Sequence, residues 1–239
     1  MVPEWESRTA TLLGEEAMER LRNARVLVVG AGGVGGYVAE TLARTGVGHL
    51  TLVDADCVAE SNLNRQLIAT RSALGKPKTE LFAARFRDIN PEIEVEAVQE
   101  FVTTENAASL MGEGYDFVID AIDTVAPKVA VILHCLRTKT PIISSMGAGG
   151  RVDPTRIIYA DISETREDGL ARAVRQRLKQ AGIRRGLRVV TSTEAPRRHA
   201  VIPLEERNKR SSFGTTMTVP AIFGIYMANY AILRIADKG

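Results

Sequence analysis

The chain has 239 residues, 45% hydrophobic and 25% charged, with a formal net charge of +2. That is enough for one substantial core of ordinary soluble, globular composition. Its two cysteines, Cys57 and Cys135, lie in no CxxC pair, which argues against a zinc site or a disulfide framework and for a reducing cytoplasm.

The first residues (MVPEWESRTA) are acidic and polar, unlike a signal peptide. Gly14 to Arg22 has helical spacing. Val26 to Val29 (VLVV) is a short β-branched run, as expected of a strand buried on both faces. A glycine turn follows, then helical spacing from Val34 to Thr45 and a second strand from His49 to Asp54. A helix is predicted over Lys78 to Asp88, a strand over Glu92 to Val98, and a buried strand at Phe117 to Asp120 (FVID). A helix around Pro127 to Thr138 and a strand at Pro141 to Ser145 complete the alternation. It predicts an α/β, Rossmann-like, doubly wound and mostly parallel sheet.

After Gly150 the pattern changes. Arg156 to Ala160 and Arg188 to Thr191 are short strand candidates, Glu164 to Gln180 reads as a polar, basic helix, and Ala195 to Ser212 reads as loop. The tract Val219 to Ile232, interrupted by Asn229, falls short of the ~20 residues a membrane span needs and reads as a buried helix. Residues 1–239 thus form one domain, with a nucleotide-binding core over about 8–150 and a basic C-terminal elaboration over 151–239. Between Arg166 and Arg210 there are 13 Lys+Arg against 5 Asp+Glu, a surplus of 8 suited to phosphates. This stretch has no Phe, Tyr or Trp, so base stacking there is not expected and contacts would be salt-sensitive.

Gly30, Gly32, Gly33 and Gly35 follow a strand and open a helix, where glycines allow a tight turn and free N–H groups face a phosphate. Asp54, 24 residues after Gly30 at the end of the next strand, suits ribose hydroxyls. Asp56 is expected near the nucleotide or in a structural turn. This much does not separate NAD from ATP. Downstream lie Asn62, Asn64, Arg65 and Gln66, and then Lys78 at a helix start. Cations are what the departure of diphosphate from ATP needs. Arg65 suits bidentate phosphate contact, and the amides can bond phosphate, ribose or neighbours. Asp120 and Asp123 end the FVID strand at the ligand-binding side of such a sheet, where an acid can hold Mg²⁺. Asp120 is expected to orient Lys78 or to cap its strand. His49, His134 and His199 fit no metal-ligand spacing, and Trp5 reads as a packing or dimer-interface residue.

The segments GAGGVGG, LVDADCVAESNLNRQ, GKPKTE and VIDAIDTVAPK occur in that order. They resemble the adenylating superfamily related to ubiquitin activation, which includes the ThiF, MoeB and HesA proteins. The resemblance implies that Asp54 binds ribose, Arg65 and Lys78 bind the triphosphate, and Asp123 holds Mg²⁺. It further implies a homodimer in which Arg8 reaches the partner's site; read from the residues alone, Arg8 is a solvated surface charge.

Relatives that form thioesters or move sulfur usually carry paired CxxC motifs and a functional cysteine, and this chain has neither. The absence favours adenylation of a carboxylate, followed by displacement of AMP from within the same substrate. Gly147 to Thr155, Ser192 to Glu194 and Ser212 to Thr215 are similar to the branch that dehydrates threonylcarbamoyladenosine in tRNA. Ser144, Ser145 and Gly147 to Gly150 are expected at the substrate entrance. Some members of the branch have a cysteine near the Ser-Phe-Gly segment, but Asn208 to Gly214 contains none. Either it is dispensable or the product is handed on differently, and a sulfur-relay protein is a candidate partner. Three rival readings remain: an activator of a ubiquitin-like sulfur-carrier protein, a non-catalytic nucleotide- or RNA-binding scaffold, and an NAD(P)-dependent oxidoreductase.

Overall fold

The computed structural model describes residues 2–112, 114–206 and 209–237. In chain order the elements are α1 (Ser7–Leu13), α2 (Glu15–Asn23), β1 (Arg25–Val29), α3 (Gly35–Thr45), β2 (His49–Val53) and α4 (Lys78–Ile89). There follow β3 (Glu94–Val98), α5 (Ala107–Met111), β4 (Phe117–Asp120), α6 (Val125–Thr138), β5 (Ile142–Ser145) and β6 (Ile157–Asp161). The chain continues with α7 (Gly169–Gln180), β7 (Arg188–Ser192), β8 (Val201–Glu206), β9 (Lys209–Phe213) and α8 (Thr218–Ala236).

Seven strands form one sheet in the order β3-β2-β1-β4-β5-β7-β6, parallel except for β6, which runs antiparallel to β7. Successive β1 residues point to opposite faces, and both faces are covered. Val26 and Val28 join a core shared with α2, α3, α4 and α8, while Leu27 and Val29 join one shared with α5 and α6. Two buried faces explain why β1 has no polar position after Arg25. A third cluster seats α7 on α6 and β7.

Helix α8 is long and apolar enough to cross a membrane, yet 61% of that stretch is buried inside the protein. Gly224 lets it approach α3, since a Cβ there would sit 2.4 Å from the carbonyl oxygen of Val34. The helix thus runs past the Val219 to Ile232 tract read from the sequence and is not too short to span; what agrees with that reading is its burial in the core.

Three expectations need correction. Ala195 to Ser212 contains strand: β8 and β9 form an antiparallel ribbon pairing Val201 with Phe213 and Ile202 with Ser212. Pro203 and the flanking charges hide the β-branched pair Val201-Ile202, and a two-stranded ribbon tolerates a proline that a central strand would not. The helix predicted from Glu164 starts at Gly169, because Asp161 caps a separate 3-10 turn and Asp168 caps α7 through the Ala171 N–H. Glu167 between them takes a left-handed φ of 49°. Finally, α1 and α5 form where no helix is predicted, both too short for a clear periodic signal.

Candidate active site

The carboxyl ends of β1, β2, β4 and β5 share one edge of the sheet, and sequence order reverses between β1 and β4. The glycine loop leaves β1 at that switch point. Gly30 has φ +93°, a region that favours glycine, and the backbone of Ala121 and Ile122 lies directly against it. Gly35 opens α3 so tightly that a Cβ would sit 1.7 Å from the carbonyl oxygen of Gly30.

Asp54 follows β2 and braces this loop. Its Oδ2 accepts from the Ala31 N–H at 2.6 Å and its Oδ1 from the Asp56 N–H at 2.8 Å. Burial pushes the Asp54 carboxyl above its ordinary value, opposed by the nearby Lys78 ammonium and these two N–H groups. Lys78 begins α4 with its side chain only 2% exposed, and its Nζ donates to Asp56 Oδ2 at 2.8 Å. The Asp56 side chain is 68% exposed. A buried ammonium at the lip of a phosphate-type loop thus has a solvent-facing partner that it can exchange for another anion.

The Asn62–Gln66 segment arches over the loop. The stem of Arg65 lies 3.6 Å from where a Gly33 Cβ would be, and the Gln66 amide 3.7 Å from the equivalent point on Gly32. The Arg65 guanidinium donates to the Ser61 carbonyl at 2.6 Å and to Asn64 Oδ1 at 2.9 Å. Asn62 spends its Oδ1 on the Ala59 N–H, locking the turn. Gln66 Oε1 is buried without a hydrogen-bond partner, although buried polar atoms are normally satisfied. An amide left wanting beside a glycine loop fits a site completed by a polar ligand.

Asp120 ends β4 and is fully buried, as is Lys128 from α6. Asp120 Oδ2 accepts from Lys128 Nζ at 2.7 Å and from Ser144 Oγ at 2.6 Å, and its Oδ1 from the Ile122 N–H at 3.0 Å. Asp120 therefore does not orient Lys78, whose carboxylate partner is Asp56. It fixes the turn from Ala121 to the exposed Asp123, and that turn abuts Gly30. Sequence reasoning missed Lys128. Its signal was a lone lysine within the otherwise apolar run Val125 to Leu133.

Beyond β5, a second network shapes the Gly147–Arg151 loop. Asp168 Oδ2 accepts from the Gly147 N–H at 2.9 Å. The buried Arg151 guanidinium donates to the carbonyls of Gly147, Glu194 and Glu167 and lies 3.5 Å from Asp168. Burial lowers the Arg151 pKa from its ordinary value, with Asp168, Glu194 and Glu167 opposing. The Glu194 carboxylate accepts the Val152 and Asp153 N–H groups at 3.0 and 2.9 Å. Ser145 donates to the Met146 carbonyl. The base of the β8–β9 ribbon closes on this loop. The Gly150 N–H donates to the Gly214 carbonyl at 3.0 Å, and Phe213 covers Gly149 and Gly150.

Arg8 is exposed on α1, which packs on α2, and is not joined to this edge by any hydrogen bond or ion pair among the described residues. Cys135 is buried, its thiol pushed up to about 12 by burial and then by Asp120; Cys57 is exposed. Such a buried thiol is a poor nucleophile.

Among the described residues, the cations of the basic segment lie at both edges of the sheet. Helix α7 begins beside Gly147, at the loop edge, and runs ~18 Å away over its 12 residues. Arg184 and Arg185 therefore lie near the start of β7, at the opposite edge of the sheet. Arg175 is bound to Thr165 and the Arg188 guanidinium stacks on Tyr230. Arg197 and Arg198 remain at the loop edge, where the Arg197 N–H donates to the Gly150 carbonyl. Arg207 and Asn208 lie outside the described residues. A cavity of about 400 Å³ does occur at the opposite edge, lined by Glu16, Glu19, Arg20, Asn23, Asp116 and Ile235. Its three carboxylates make it unsuited to a triphosphate.

The ThiF family matches residues 6–239 of the chain. The chain is 42% identical to the tRNA threonylcarbamoyladenosine dehydratase of Escherichia coli K12, an alignment covering 98% of this chain and 95% of that protein. It is 41% identical to the protein of that name from Bacillus subtilis 168, over 96% and 93%. The solved structure of the E. coli enzyme in complex with ATP superposes with a TM-score of 0.88 at 41% identity, over 98% and 96% of the two chains.

Proposed function

Because the chain belongs to the ThiF family, we infer that it is an ATP-dependent adenylating enzyme that dehydrates N6-threonylcarbamoyladenosine in tRNA, with near full-length relatives of that name. The observation that carries the adenylating reading is the buried Lys78 ammonium beside a glycine loop braced by Asp54, with Arg65 above it.

ATP binds with its phosphates on the Gly30–Gly35 loop and its ribose hydroxyls on Asp54, with Asp56, Asn62 and Gln66 around it. The orphaned Gln66 Oε1 supports this, since a ligand N–H or O–H would satisfy it. Lys78 and Arg65 meet the charge that develops on the departing diphosphate. Asp123 suits Mg²⁺, being an exposed carboxylate at a strand end that leaves room for phosphate and water ligands. When bound, the ion neutralises triphosphate charge.

The threonyl carboxylate attacks the α-phosphorus, and diphosphate leaves with the electron pair of the broken P–O bond. The carbamoyl group of the same nucleoside then attacks the acyl carbon. AMP leaves, a proton is lost, and the nucleoside has lost the elements of one water. Ring closure is intramolecular, so proximity carries it and no enzyme thiol is needed. The reading extends to a cytoplasmic homodimer in which Arg8 of one subunit serves the other's site. Its exposure on α1 beside Leu12, which is 81% exposed, supports that extension. RNA phosphates would meet Arg197 and Arg198 at the loop edge.

The test is nucleoside mass spectrometry of threonylcarbamoylated tRNA after incubation with the protein, ATP and Mg²⁺, using mild digestion. ATP-dependent loss of one water from the modified nucleoside is expected. No change, with diphosphate exchange on a sulfur-carrier protein instead, would overturn the substrate assignment. Asp123→Ala is expected to abolish ATP–diphosphate exchange without unfolding the protein, and full exchange would remove its metal role.

A further inference from the structure

Asn64 has the only side chain among the described residues that bonds both to Arg65 and to the C-terminal part of the chain. Its Oδ1 accepts from Arg65 Nη1 at 2.9 Å, and its Nδ2 donates to the Thr215 carbonyl at 3.0 Å, across 151 positions of sequence. Thr215 follows Gly214, which is tied on both sides. The Gly214 carbonyl accepts from the Gly150 N–H at 3.0 Å, and the Gly214 N–H donates to the Ala200 carbonyl at 2.8 Å. The Gly150 carbonyl in turn accepts the Arg197 N–H at 2.8 Å. Asn64 thus joins the arginine above the glycine loop to the junction of the Gly147–Arg151 loop, the ribbon base and the start of α8.

We propose that Asn64 is a positioning residue rather than a nucleotide ligand, coupling the substrate-side junction at Gly150 and Thr215 to the Arg65 guanidinium. This rests on the adenylating reading above. The chemistry requires an amide. One atom must accept from a guanidinium and the other must donate to a carbonyl, from a side chain of this length. Aspartate keeps the first bond and sets a carboxylate against the Thr215 carbonyl; alanine loses both. In this structure both bonds of the guanidinium are to the chain itself, Ser61 and Asn64. Movement of the junction on seating a substrate shifts Thr215 and, through Asn64, the acceptor that holds Arg65. The coupling acts on the chemical step, because the contacts bracing the glycine loop come from Asp54 and do not pass through Asn64.

The test compares Asn64→Asp, Asn64→Ala, Arg65→Ala and the double variant Asn64→Ala/Arg65→Ala in dehydration of threonylcarbamoylated tRNA. Asn64 is exposed, and melting temperatures near that of the unsubstituted protein are expected. Both Asn64 variants should lower kcat by about 10- to 100-fold, the scale of misplacing one electrostatic contact. Their KM for ATP should stay within about two-fold, as expected when only transition-state contacts are lost. The double variant should be no slower than Arg65→Ala, because Asn64 acts through Arg65. An unchanged kcat in Asn64→Asp overturns the proposal, as do fully additive losses in the double variant. A raised KM for ATP with normal kcat overturns it in favour of direct nucleotide contact. If Arg65→Ala itself is fully active, the triphosphate role of Arg65 has failed, which is separable from failure of the coupling.

Discussion

Two lysine–aspartate pairs flank the glycine loop at nearly the same distance, 2.8 Å for Lys78–Asp56 and 2.7 Å for Lys128–Asp120. At the lip, a buried lysine meets a carboxylate that is 68% exposed. Beneath it, both members are fully buried and Ser144 and the Ile122 N–H complete the network. Separation of charge does not distinguish the pairs; access to solvent does. Asp56, being solvent-exposed, stays hydrated if Lys78 exchanges it for another anion. Asp120 has no such access, so releasing Lys128 would strand a charge in the core. The first pair is built to exchange partners and the second to hold the turn that carries Asp123.

Breaking the sealed pair is expected to have the largest effect. Lys128→Met should destabilise the protein by about 3–5 kcal/mol in urea unfolding, the scale of an uncompensated buried charge. Lys128→Met/Asp120→Asn should recover most of that loss. A single variant as stable as the unsubstituted protein would erase the contrast. Lys78→Ala should instead cost at least ~10²-fold in kcat/KM for dehydration, the scale of one well-placed electrostatic contact. Its melting temperature should stay close to the starting value, and a near-normal rate would end the triphosphate role.

Asp56→Asn sharpens the comparison further. If Asp56 only holds Lys78 until a phosphate arrives, the neutral amide should lower the KM for ATP by a few-fold; a raised KM would make Asp56 a nucleotide ligand. The smallest effect concerns the thiols. With the Cys135 thiol pushed up to about 12 and buried, a thiol-specific reagent at neutral pH should label Cys57 alone in the folded protein and both cysteines in denaturant. Rapid labelling of Cys135 in the native state would contradict its burial behind Met111.

The parallel sheet was legible because buried strands such as Val26 to Val29 are apolar on both faces and the helices between them keep period 3.6. The place of Asp54 against the glycine loop was legible because the acid ends the strand that follows that loop. Asp120 was seen as a site acid, but its partner was not. Lys128 lies eight positions downstream, and only packing α6 on β4 and β5 makes the two meet. The β8–β9 ribbon was missed because Pro203 and the surrounding charges lower local strand propensity, and pairing with β9 overrides it. The basic surplus between Arg166 and Arg210 was countable in the sequence, but its distribution was not, since α7 carries its cations from one edge of the sheet to the other.

The α/β class, the parallel core and the glycine loop with its acid could all be read from the residues alone. These are short-range facts: hydrophobic period, turn chemistry and residue type at fixed spacing. Which charges face one another is set by how distant parts of the chain pack. That packing gave Asp56 to Lys78 and Asp120 to Lys128, tied Asn64 to Thr215, and moved Arg184 and Arg185 to the far edge. The physical reason is that the strength and exchangeability of an ion pair depend on burial and on neighbours from distant parts of the chain, and no local pattern encodes either.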